Sequence, residues 1–121
     1  MTNNQTKIEQ LIQDYLAAWN AVDLTQRAAL LEQVMTQDCI YADSHLPNLV
    51  ETRELHGQFI DQFRSKFADL KISLLTTPET HHGFFRFGWQ LAKPTGEVFT
   101  QGMFFGEISR EGKISKLVGF V

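Results

Sequence analysis

The chain has 121 residues, is 43% hydrophobic and 21% charged, and carries a formal net charge of −3 at pH 7. That length holds one domain able to bury a core without covalent staples, and the composition is that of an ordinary globular protein. The absence of a dense basic stretch argues against a nucleic-acid partner, and the lone Cys39 excludes an internal disulfide.

Met1 to Lys7 lacks the apolar run of a signal peptide, and no segment reaches the length needed to cross a bilayer. A cytoplasmic protein without membrane contact is therefore expected. Ile8, Leu11, Ile12, Tyr15, Leu16, Trp19 and Val22 then recur at three- and four-residue spacing, which predicts an amphipathic helix. Thr6 with Glu9 has the spacing of a capping box at its start. A second helix is predicted from near Asp23, with Asp23 or Thr25 as cap and Leu24, Ala28, Leu31 and Val34 or Met35 facing inward. Cys39 to Asp43 is short and β-prone and reads as a strand; Ser44 to Glu54, with Pro47 and Asn48, reads as a loop. Gly57 marks the entry of a third helix, whose Phe59, Ile60, Phe63 and Phe67 share one face.

From Leu70 onward the period changes to two. Ile72 and Leu74 alternate with polar neighbours, and His81 to Lys93 forms a long strand in which Phe85, Phe87, Trp89 and Leu91 lie on one side. Turns at Pro94-Thr95-Gly96 and Arg110 to Lys113 separate two more strands, Val98 to Ser109 and Ile114 to Val121. Helices followed by a meander of strands are the pattern of an α+β domain. All ten Phe lie beyond residue 58. Phe84, Phe99, Met103 and Phe105 sit out of phase with the helix-facing side, so a second apolar sheet face is expected, covered by a second copy of the chain.

The order of these elements, with several local strings, resembles the nuclear-transport-factor-2-like superfamily, nearest its SnoaL-like and steroid delta-isomerase branches. The resemblance spans Ile8 to Val121. It rests on Tyr15-Leu16-Ala17-Ala18-Trp19-Asn20-Ala21-Val22-Asp23-Leu24, Asp43 after the first strand, His56-Gly57, Arg86-Phe87-Gly88-Trp89, Gly102-Met103-Phe104, and Gly112-Lys113 through Gly119-Phe120. It implies a single cone-shaped α+β domain over residues 1–121, with three helices packed on a curved antiparallel sheet that encloses a pocket. It also implies dimerisation through the outer sheet face, and a last strand with Leu117, Gly119 and Val121 toward the pocket and Val118 and Phe120 away. Because this fold hosts isomerases, cyclases, dehydratases and plain binding modules, it leaves function open.

Two residues match catalytic positions of the steroid isomerases. Asp43 matches the general base, and a carboxylate suits that role when an apolar wall disfavours its charged form. Relatives usually carry Asp-Pro where this chain has Asp43-Ser44, and an Asp at a strand end equally caps a turn. Tyr15 matches the phenol that donates to the substrate oxyanion, although a Tyr on an apolar helix stripe is equally a core residue. The match breaks at Phe104, which stands where the isomerases place a protonated Asp and has no hydrogen bond to give. His45 and His56 are candidates for a ligand's polar end, or are solvated loop residues. Trp19, Phe59, Phe63, Phe87 and Trp89 are candidates for an aromatic pocket wall, or for tight core. His81-His82 lacks a third partner at metal-binding spacing, so neither metal nor cofactor is expected. Cys39 has no His partner and reads as a small buried residue. The expected ligand is a small, mainly apolar molecule, either bound only or processed by acid–base chemistry.

Overall fold

The computed structural model describes residues 4–121. Helix α1 spans Asn4–Asn20, α2 Leu24–Val34 and α3 Arg53–Lys66; the strands are β1 Met35–Asp43, β2 Lys71–Leu74, β3 Glu79–His81, β4 Phe84–Ala92, β5 Val98–Ile108 and β6 Ile114–Phe120. The three helices lie on one face of a curved, open sheet of order β1-β6-β5-β4-β2, with β3 also paired to β4. This is the expected cone-shaped α+β architecture. The sheet is mixed rather than wholly antiparallel, because β1 runs parallel to β6, with Tyr41 beside Leu117 and Asp43 beside Gly119.

The α1 stripe buries Ile8, Ile12, Tyr15, Leu16 and Trp19 against the sheet. Thr6 lies inside the helix rather than capping it, and Val22 is 91% exposed because the helix has already ended at Asn20. Two side chains finish that end. Asn20 exchanges two 2.9 Å hydrogen bonds with the backbone of Ile72, which occupies polar groups on edge strand β2. Arg27, wholly buried, donates to the carbonyls of Ala18 and Ala21 and pairs with Asp61 on α3, satisfying acceptors that a helix C-terminus leaves open.

Asp23 caps α2 by accepting from the Gln26 amide. Leu24 and Ala28 point to solvent; Arg27, Leu31 and Val34 take the buried side. Met35 already belongs to β1, so that strand begins four residues before the expected Cys39. Helix α3 starts at Arg53 under a Thr52 cap, and Gly57 is in its interior rather than at its entry. A Cβ there would stand 3.4 Å from Leu31, so α2 and α3 approach closely at this point.

The run from His81 to Lys93 is broken into two strands by a tight turn at His82 and Gly83, both at positive φ. Down the inner face, Phe85, Phe87, Trp89 and Leu91 of β4 are buried with Phe104 of β5 and Leu117 of β6. Opposite several of these rings stand glycines. A Cβ on Gly106 would fall 2.4 Å from the Phe85 ring and one on Gly102 2.4 Å from the Trp89 ring. A Cβ on Gly119 would come 2.8 Å from Phe104. The backbone thus makes room for aromatic rings larger than a layer of branched side chains would admit.

The outer face carries Phe84, Met103, Phe105 and Phe120 in exposed positions, with Phe84 and Phe105 stacked at 5.8 Å. Phe99 does not belong to this group. A register shift between Leu91 and Ala92 in the β4–β5 ladder interrupts the alternation there, and Phe99 instead meets Phe67 at the end of α3, ring centroids 5.6 Å apart.

Candidate functional site

Between α1, α3 and the inner sheet face lies a cavity of about 490 Å³, predominantly apolar. Trp19, Phe59, Phe63 and Phe67 line the helix side and Trp89, Leu91 and Phe104 the sheet side, while Asp43, His45 and Gly119 come from the β1–β6 edge. The aromatic lining is continuous. The Trp19 ring meets Phe59 and Phe63 edge-on at 5.9 and 5.3 Å, and Phe63 leads to Phe67 at 5.1 Å. Four-residue spacing places Phe59 and Phe63 of α3 and its C-cap Phe67 on one face.

Asp43 is half-buried at the cavity wall. One carboxylate oxygen accepts from the Tyr41 hydroxyl at 2.8 Å, the other from the His45 backbone amide at 2.8 Å. The residue therefore caps the turn, as one reading of the sequence has it, and also lines the cavity. Tyr41 is 2% exposed, lines the cavity, and is wedged against His56, Phe59 and Phe104, with centroids 4.3, 5.5 and 6.1 Å away. Burial pushes its phenol well above the ordinary value, so it stays a donor. Sequence reading missed Tyr41, although the signal was present: residues two apart on a strand share a face.

Tyr15 and His56 do not reach the cavity. Both have no exposed surface, and the Tyr15 hydroxyl lies 2.8 Å from His56 Nε2 behind the Tyr41 ring. Tyr15 directs that hydroxyl at His56 and is not on the cavity wall, which corrects its expected placement as an oxyanion donor. Burial raises the Tyr15 phenol and lowers the His56 imidazole to about 3, so the two form a neutral pair inside the core. The second ring nitrogen of His56, Nδ1, has no partner among the described residues. His56 sits within α3, not at its mouth, and the helix brings it inward beside Ile60. Phe87 and Leu117 lie in the core beneath the cavity rather than on its wall.

Phe104 does line the cavity, 2% exposed and 5.5 Å from Trp89, so the wall there is an apolar ring with no hydrogen bond to give. Gly119 and Val121 face the cavity, while Phe120 is 59% exposed on the opposite side. Cys39 is buried, with its thiol pushed up to about 12 by burial, and carries no nucleophilic character. Among the described residues no group of three His, Cys, Asp or Glu is placed to hold a metal ion, and no helix is long and apolar enough to cross a membrane.

No protein-family model matches the sequence, and no curated protein matches it. Solved structures do. A protein from Agrobacterium tumefaciens strain C58, described as a candidate isomerase of the SnoaL-like family, is 32% identical, with a TM-score of 0.87 over 95% of this chain and 97% of its own. A candidate SnoaL-like polyketide cyclase from Jannaschia sp. CCS1 is similar in fold, at 13% identity and a TM-score of 0.79 over 99% of this chain and 88% of its own. An NTF2-like protein from Exiguobacterium sp. 255-15 aligns at 17% identity and a TM-score of 0.70, covering 90% of this chain and 95% of its own. These likenesses give the fold as NTF2-like, and the extent and identity of the first match establish that this chain belongs to the SnoaL-like family.

Proposed function

We propose that the protein binds a small, mainly apolar molecule in the cavity, with Asp43 holding its polar end. The observation that carries this is a single carboxylate side chain, braced by Tyr41, on the wall of a predominantly apolar cavity. A cavity of about 490 Å³ is within the range of small-ligand sites, and such sites combine apolar walls with few fixed polar groups. The Tyr41 hydroxyl is already committed, so Asp43 offers acceptor capacity and selects a ligand that donates, such as an alcohol or enol. Trp19 and Trp89 both line the cavity, so their fluorescence reports occupancy. Titration with apolar alcohols should perturb that emission in the wild type and do so more weakly in Asp43→Asn. Emission unmoved by any alcohol would overturn the reading.

A second reading, acid–base chemistry on the bound molecule, is favoured by Asp43 itself, whose carboxylate is the one carboxylate side chain on the cavity wall. Asp43 would take the proton from carbon, and Tyr41 would fix the direction of its second oxygen. The likeness to a candidate isomerase supports this reading. We further propose that two copies associate through Phe84, Met103, Phe105 and Phe120, an apolar surface left open by the helices, in the cytoplasm.

A further inference from the structure

The cavity has a second charged group that binding at Asp43 does not use. Lys66, in the last turn of α3, lines the cavity beside Phe67 and is its sole ammonium group. It makes no ion pair or hydrogen bond among the described residues. Its neighbour Arg64 is turned the other way, donating to the carbonyls of Leu70 and Ala68 in the loop after the helix. Its position is opposite in charge and in place to Asp43. Asp43 ends β1 at one edge of the sheet, whereas Lys66 ends the helix that leads into β2 at the other edge. Phe63, Phe67, Phe99, Trp89 and Leu91 are on the same cavity wall.

From this we infer that the ligand is an amphipathic acid, with an apolar body in the aromatic cavity and a carboxylate held by Lys66. The inference rests on the binding function proposed above and adds the ligand's chemical class and orientation. A carboxylate directed at Asp43 meets like charge, while directed at Lys66 it forms a charge-assisted hydrogen bond. The acid end thus lies toward α3, and any hydroxyl on the far end lies toward Asp43. Lys66 is exposed, so its attraction is moderate and salt-sensitive.

The test compares decanoate, 1-decanol and 10-hydroxydecanoate, each followed by Trp fluorescence and calorimetry, in the wild type and in Lys66→Gln. Decanoate should bind the wild type about three- to tenfold more tightly than decanol at low salt, and 10-hydroxydecanoate more tightly still. Lys66→Gln should bring the ratio of acid to alcohol affinity close to one, and high salt should do the same. Equal affinity for acid and alcohol in the wild type would overturn the inference while leaving the cavity reading standing. So would an acid preference that survives in Lys66→Gln. Failure of all three compounds to bind would overturn both.

Discussion

Acidification should unfold this protein partly through one imidazole. His56 has no exposed surface, keeps one hydrogen bond to Tyr15 and titrates near 3 in the folded chain, against about 6.5 when unfolded. Its folded pKa is depressed, so between those values the unfolded state binds the extra proton and stability falls as pH falls. At pH 7 the penalty is about 0.2 kcal/mol. At pH 5 it follows from 1.5 units of unfolded-state protonation and reaches about 2 kcal/mol. With a urea m-value of about 2 kcal/mol/M, the unfolding midpoint should drop by ~0.9 M between pH 7 and pH 5 from this residue alone. Other groups titrate too, so the measurement is a comparison with His56→Gln, which keeps a polar partner for Tyr15 and cannot charge. Urea unfolding at both pH values should show the wild type losing about 2 kcal/mol more than the variant. Parallel losses in the two proteins would refute the assignment of a neutral, sealed imidazole. If the variant is too unstable to titrate, NMR should still find His56 neutral in the folded wild type at pH 5, and a protonated ring there would refute it equally.

Arg27→Met should cost about 3 kcal/mol or more in denaturant unfolding, since it strands the α1 carbonyls and Asp61 together. Gly57→Ala should instead raise stability by about 0.5–1 kcal/mol, because the new methyl meets Leu31 at ordinary contact distance within a regular helix; thermal unfolding checks both. Light scattering at micromolar concentration should give twice the 13.9 kDa chain mass, and Phe105→Lys should halve it; a monomeric wild type would count against the outer-face association. A 5-ene-3-ketosteroid should be turned over poorly, because Phe104 gives no hydrogen bond and Tyr15 is committed to His56. Each missing donor is worth on the order of a hundred- to a thousand-fold in rate, and turnover matching a dedicated isomerase would disprove that account.

Periodicity made the architecture legible because burial is one-sided: the α1 stripe and the alternation from Phe85 to Leu91 both name the face that meets the core. Boundaries were harder where a residue suits two neighbours. Met35 continues the apolar stripe of α2 and equally opens β1, and only the pairing of β1 with Ile114 decides. Gly57 reads as a helix entry on propensity, yet the Thr52 cap starts α3 at Arg53 and leaves Gly57 inside. Phe99 was assigned by alternation that a register shift interrupts. The site was legible in its apolar walls and in Asp43. The division of labour between the two tyrosines was not, because Tyr15 and His56 are 41 residues apart in sequence and meet only through the fold.

The glycines of the inner face have a consequence for how this cavity can change. At Gly102 and Gly106 a methyl would strike backbone oxygen as well as a ring, so shrinking the ring alone frees neither position. Gly119 is different: its nearest obstacles are the Phe104 ring and the Asp43 Cβ at 3.2 Å. Gly119 and Phe104 are therefore tied as a pair, each limiting what the other can become. A smaller residue at 104 would permit a side chain at 119 and shift the free volume away from Asp43 toward position 104, whereas either change alone leaves a void or a collision. Ligand preference on this scaffold should thus move in coupled double steps, with the two substitutions far from additive.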